Sequence, residues 1–154
     1  MQSFLQKIIV LFLMGGFVSS AFPEEFPGLC LVNDGNANSL IVLGKKSVKT
    51  AKFAAAELQY HLKLMTGVSI PIVSEDAAGE GVKIYVGESD FTRTAGLISS
   101  DFSSQEYLIS VNANHVLLLG RDEADFGDFR YGLVRTHPDR FSQIGTCYAV
   151  YDFL

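Results

Sequence analysis

Apolar and polar positions follow two rhythms along this chain, and each change of rhythm marks an element. Residues 29–32 and 40–43 are short apolar runs, separated by Asn33-Asp34-Gly35-Asn36-Ala37-Asn38. Asn, Asp and Gly tolerate the positive φ of tight turns, so this insert predicts a hairpin loop. Over 48–66 the period becomes helical, with Ala51, Ala54, Ala55, Leu58, Leu62 and Met65 on one stripe, flanked by Phe53, Tyr60 and Leu64. Ser47 is the expected N-cap, and Gly67 supplies a residue free to turn left-handed past the helix end. Residues 68–73 predict a strand that Pro71 confines to an edge or a strand start. A polar turn region follows over 74–81, and then 82–87 alternates as a half-buried strand. Residues 89–98 predict a short helix capped by Ser89 or Asp90. The clearest hairpin joins 106–111 to 115–119 across Asn112-Ala113-Asn114.

The rhythm then stops. Residues 121–144, from Arg121 to Ile144, mix Arg, Asp and His137-Pro138 with few periodic apolar positions. Loops of that length tend to carry function or to be disordered. The Arg and Asp side chains could hydrogen-bond sugar hydroxyls or a carboxylate, or brace a following domain, and bracing or a shaped rim is the reading preferred here. Residues 145–154 return to helical spacing, with Cys147, Val150, Tyr151 and Leu154 on one stripe and no stop signal after them. Tyr148, Tyr151 and Phe153 are expected to leave part of an apolar face uncovered. The pattern predicts a leading domain whose continuation lies beyond Leu154. Strands and helices in this order predict helices covering a mixed sheet.

Composition refines this picture in three places. With 48% hydrophobic residues in 154, the chain can bury a sizeable core as one domain. A net charge of −5 argues against a nucleic-acid footprint or a polybasic membrane patch. At the N-terminus, Lys7, the apolar run 8–14 and Ser19-Ser20-Ala21 have the layout of a secretory signal with cleavage after Ala21. The run is too short for a membrane span. The expected organisation is therefore a signal peptide at 1–21, a Pro-containing linker at 22–30 and a domain at 31–154, exported to the periplasm or beyond. Export permits a disulfide between Cys30 and Cys147; the alternative is two small buried thiols that never meet.

Candidate chemistry is sparse. Asp34-Gly35-Asn36-Ala37-Asn38 starts like a calcium loop, but Ser39 and Lys45 stand where Gly and Glu are needed. His61, His115 and His137 have no metal-ligand spacing, and no G-x-S-x-G or phosphate-binding Gly frame occurs. The adjacent pairs Asp122-Glu123 and Glu75-Asp76 do not suggest two carboxylates flanking a sugar from separate elements. No catalytic residue, cofactor or metal is expected.

Several stretches together carry a resemblance. The run Thr50-Ala51-Lys52-Phe53-Ala54-Ala55-Ala56-Glu57-Leu58-Gln59-Tyr60-His61-Leu62, then Met65-Thr66-Gly67-Val68-Ser69-Ile70-Pro71-Ile72, resembles the helix-to-strand block of α-glucuronidase N-terminal domains. Ile84-Tyr85-Val86-Gly87-Glu88-Ser89 resembles their next strand, and Tyr107-Leu108-Ile109 with Leu117-Leu118-Leu119-Gly120-Arg121-Asp122 resembles their hairpin. Gly145-Thr146-Cys147-Tyr148-Ala149-Val150-Tyr151-Asp152-Phe153-Leu154 resembles the helix that leads into the catalytic domain. The resemblance, from about residue 31 to 154, is to glycoside hydrolase family 67, with a related domain in β-N-acetylhexosaminidases. It implies an α+β fold: a mixed sheet with two main helices on one face, placed before a (β/α)8 barrel that holds the catalytic carboxylates. The implied role is a non-catalytic accessory domain of an exported carbohydrate-active protein that breaks down xylan, with the barrel as its partner. The alternative is a stand-alone secreted module that binds an oligosaccharide or another partner. The 121–144 loop is longer than that family often has, and no catalytic residue carries over.

Overall fold

The computed structural model describes residues 28–154. The proposed signal segment 1–21 and most of the 22–30 linker lie outside the described residues. The fold is α+β, with three helices, a five-stranded mixed sheet and a separate two-stranded ribbon. In chain order, β1 (Val32–Asn33) and β2 (Asn36–Ala37) form the ribbon, and β3 (Ser39–Leu43) enters the main sheet. Then come α1 (Lys49–Thr66), β4 (Ile72–Ser74), β5 (Val82–Val86), α2 (Asp90–Thr94), β6 (Tyr107–Val111), β7 (His115–Gly120) and α3 (Gly145–Phe153).

The sheet order is β4-β3-β5-β7-β6. Strands β4, β3, β5 and β7 run parallel, and β6 closes one edge antiparallel to β7. This arrangement corrects the first expected hairpin. Residues 40–43 pair with β4 on one side and β5 on the other, so no ladder is left for 29–32. Ile41 and Val42 are fully buried on opposite faces, as a central parallel strand requires. The turn itself is tighter than expected: Asp34 (φ 47°) and Gly35 (φ 75°) are the two positive-φ residues of a type I′ connection between β1 and β2.

Helices α1 and α3 pack on one face of the sheet, where Ala54, Ala55, Leu58, Ala149 and Val150 meet Ile41, Ile84, Val86 and Leu118. The Ala-rich stripe lets α1 lie close. Gly87 (φ 75°) sits directly beneath it, and a Cβ there would come 2.5 Å from the Ala51 Cβ. Met65, expected on the stripe, is exposed. An 18-residue helix is about 27 Å long, whereas five-residue strands span roughly 16 Å, so the last turn overhangs the sheet.

Several local expectations hold. Gly67 is left-handed at φ 76° and returns its N–H to Lys63. Ser89, not Asp90, caps α2 in a reciprocal capping box with Thr92. Strand β4 is an edge strand starting immediately after Pro71, two residues from the buried Ile70. The hairpin across 112–114 forms as β6 and β7. Ser47, by contrast, does not cap α1: its hydroxyl donates to the Gly44 carbonyl at 2.7 Å, and Val48 precedes the helix without a side-chain cap. The buried face of α3 is also rotated from expectation. Thr146, Cys147, Ala149 and Val150 are buried, Tyr151 is exposed, and Phe153 packs against the core.

Candidate functional site: the crevice at the strand ends

The topology marks one place in the fold before any side chain is considered. From β3 the chain passes through α1 to β4 on one side; it then returns to β5 on the other side of β3 and proceeds outward to β7. The carboxyl ends of β3 and β5 therefore flank a switch point, the position where open α/β sheets place their crevice. Gly44 closes β3 so tightly against the next loop that a Cβ would collide with the Glu88 carbonyl.

The 121–144 loop forms the far wall of this crevice and is fastened at both ends. At its neck, Asp122 bridges to Ile144, and Glu123 N–H donates to the Gln143 carbonyl at 2.8 Å. Further along, Lys49 pairs with Asp125 at 2.5 Å, and the Lys52 ammonium donates to the Gly127 carbonyl at 3.2 Å. The loop then lies against α1, where Phe129 and His137 both pack on Phe53. These contacts tie the loop to α1 within the domain. Tyr131 sits beside the Glu57 carboxylate, which pushes its hydroxyl up to about 12.

Carboxylates are plentiful around the crevice, and three of them, Glu75, Glu88 and Asp122, serve the backbone. Glu75 accepts from Lys45 N–H at 3.0 Å and from Asp90 N–H at 2.7 Å, tying the β3 loop to the start of α2. Glu88 accepts from the Arg93 guanidinium at 2.5 Å and from Ser99 N–H at 2.8 Å. Asp122 accepts from Thr146 N–H at 2.9 Å, in the first turn of α3. Burial pushes Asp122 up to about 6, against the lowering effect of its Thr146 hydrogen bonds, and the Glu88 charge adds to the rise. Asp125 is held low, chiefly by its hydrogen bond from Lys49. These hydrogen bonds staple the loops together.

The residues singled out from the sequence scatter accordingly. Glu123 and Asp76 are exposed beside their stapled neighbours. His61 lies 3.9 Å from Glu57, His115 packs edge-on to Phe91 on the opposite face, and His137 sits in the loop. No cluster of three or more metal-ligating side chains occurs among the described residues. Cys30 and Cys147 are both free thiols, the unbridged one of the two arrangements the sequence leaves open. Cys30 is exposed before β1, whereas Cys147 is buried against α1, facing the Thr50 carbonyl at 3.8 Å, and burial pushes its thiol up.

Sequence reasoning missed Lys45, Lys46 and Lys52, which line one groove with Phe126 at the end of β3. The available signal was a Lys-Lys pair one glycine after a continuous apolar strand. No helix among the described residues is long and apolar enough to cross a membrane. No family model matches the chain, and no curated protein matches it.

Proposed function

We propose that this chain is a non-catalytic accessory domain of an exported carbohydrate-active protein of α-glucuronidase type, acting beside a (β/α)8 catalytic barrel. The observation that carries this reading is the use of the crevice carboxylates. Glu75, Glu88 and Asp122 each accept a backbone N–H, and the remaining crevice carboxylate, Glu123, is the exposed sequence neighbour of Asp122 and not a partner from a separate element, so no pair placed to flank a sugar occurs there among the described residues. The α+β arrangement, with α1 and α3 on one face, is compatible with the architecture the sequence resemblance implies. Tyr148 and Tyr151 on α3 remain 39% and 47% exposed, which suits an outer helix face that meets another domain.

The test is direct. The purified chain, incubated with xylan oligosaccharides bearing glucuronic-acid branches, is expected to release no glucuronic acid by chromatography. Turnover overturns the non-catalytic reading. The reading frame on the far side of the Leu154 codon is expected to encode a barrel with separated Glu or Asp residues. A stop codon there overturns the accessory-domain reading and favours a stand-alone secreted binding module.

A further inference from the structure

A groove of about 580 Å³ runs over the carboxyl ends of β3 and β4, within the range of small-ligand sites. Its apolar lining comes from Leu43 and Ile72, with Phe126 on the loop side. Lys45, Lys46 and Lys52 also line it, and no carboxylate among the described residues does. In a chain of net charge −5, the groove is lined by three lysines and no carboxylate among the described residues, with Glu75, Asp90 and Asp125 standing beyond its lining.

The lysines keep most of their binding capacity. Lys46 has neither an ion pair nor a side-chain hydrogen bond among the described residues. Lys52 commits one N–H to Gly127 O at 3.2 Å, and Lys45 faces Asp90 at 3.5 Å with both side chains more than half exposed. Such an exposed pair is weak and readily exchanged. Phe126 is the second unusual feature. It is 60% exposed, yet its neighbours are pinned: Asp125 to Lys49 through side chain and backbone, and Gly127 to Lys52 and to the Asp125 carboxylate. An aromatic ring is thus held at the lip of a positively charged groove instead of folding into the core.

We propose that this groove is a binding site for an oxyanion, a carboxylate or phosphate, carried on an apolar body that lies against Phe126 and the strand ends. Lysine suits this ligand, because its ammonium is a point charge that meets either oxyanion without a fixed fork geometry. The apolar body covers Phe126 and gains the burial its exposure forgoes. The site does not depend on the chain belonging to a larger enzyme, and it stands or falls separately from that reading.

The experiment is an amide-resolved NMR titration of the purified chain with benzyl phosphate, phenylacetate, inorganic phosphate and neutral benzyl alcohol. At least one aromatic acid is expected to shift the amides of Gly44, Lys45, Lys46 and Ser74 saturably, and the tighter acid identifies the oxyanion. Salt should weaken binding by screening. Lys46→Gln, at an exposed side chain with no partner among the described residues, should weaken it about tenfold without disturbing the rest of the spectrum, as expected for loss of a charge contact in the site. Phe126→Ala should weaken the aromatic acids but not inorganic phosphate. The proposal is overturned if benzyl alcohol shifts the same amides as strongly, if Lys46→Gln binds as well as the parent, or if neither acid moves these amides.

Discussion

The two faces of the central sheet are made by the same strands and finished in different ways. Among the described residues, the face under α1 and α3 gathers thirteen buried apolar residues, whereas the opposite face gathers Val42, Tyr85 and Leu117. Strand β5 shows the contrast within three residues, since Ile84 and Val86 are sealed under helices while Tyr85 faces a thin layer. That layer is Leu97, Ala78 and the five-residue α2, whose Phe91 stacks on Tyr85 at 4.4 Å with planes 6° apart. Small residues explain the difference. Ala51, Ala54, Ala55 and Gly87 let a long helix lie directly on the first face, where it excludes water over its length. The second face receives no long helix, only loops and the short α2 with its one aromatic stack.

Substitutions can break or sharpen this contrast. Leu58→Ala opens a cavity in the centre of the helix-covered face and is expected to cost about 2–5 kcal/mol in urea denaturation. A loss comparable to that of a surface substitution would break the assignment of that face as the principal core.

Asp122 sits where α3 joins the covered face, and its effect depends on pH. Its folded pKa of about 6 lies above its ordinary value of 3.8, so the folded chain holds this proton more tightly than the unfolded chain. Its contribution therefore falls as pH rises from about 4 to about 6 and stays low above that. Asp122→Asn keeps an oxygen acceptor for Thr146 N–H and removes the buried charge. The variant is expected to exceed the parent by on the order of 2 kcal/mol at pH 7 and to match it near pH 4. Denaturation of both proteins across this range checks the sign, and a destabilised variant at pH 7 would mean that the ionised carboxylate is needed to hold α3. The smallest effect is expected for Phe91→Ala, about 1 kcal/mol, because Phe91 is 38% exposed and its chief partner is one ring. A loss equal to that of Leu58→Ala would show that the thin face carries as much as the thick one.

Much of this fold is legible from local chemistry. Gly67 ends α1, Pro71 sets the edge strand, Ser89 caps α2, and Asn112-Ala113-Asn114 turns the β6–β7 hairpin, each through neighbours a few residues away. Misreadings occur where the partner is distant. The strands that flank residues 40–43, β4 and β5, begin 29 and 39 positions after Leu43, whereas the turn-forming insert next to 40–43 suggested the nearer run 29–32. The stripe on α3 was read from spacing, but its orientation is set by close contact at Gly120 and Gly145, where a Cβ at either would strike the other segment's backbone. The crevice was invisible for the same reason, since Glu75, Glu88 and Asp122 gain their roles only when three loops meet.

By itself, the sequence determined the kind and order of most elements and the small-residue stripe that lets a helix lie on a sheet. Those features depend on backbone preference and side-chain periodicity within one segment. Only the tertiary structure decided the parallel strand order, the separation of Cys30 from Cys147, the stapling of the carboxylates and the placing of Lys45, Lys46 and Lys52 in one groove with Phe126. Each of these is a juxtaposition of distant segments, fixed by which surfaces could be buried together.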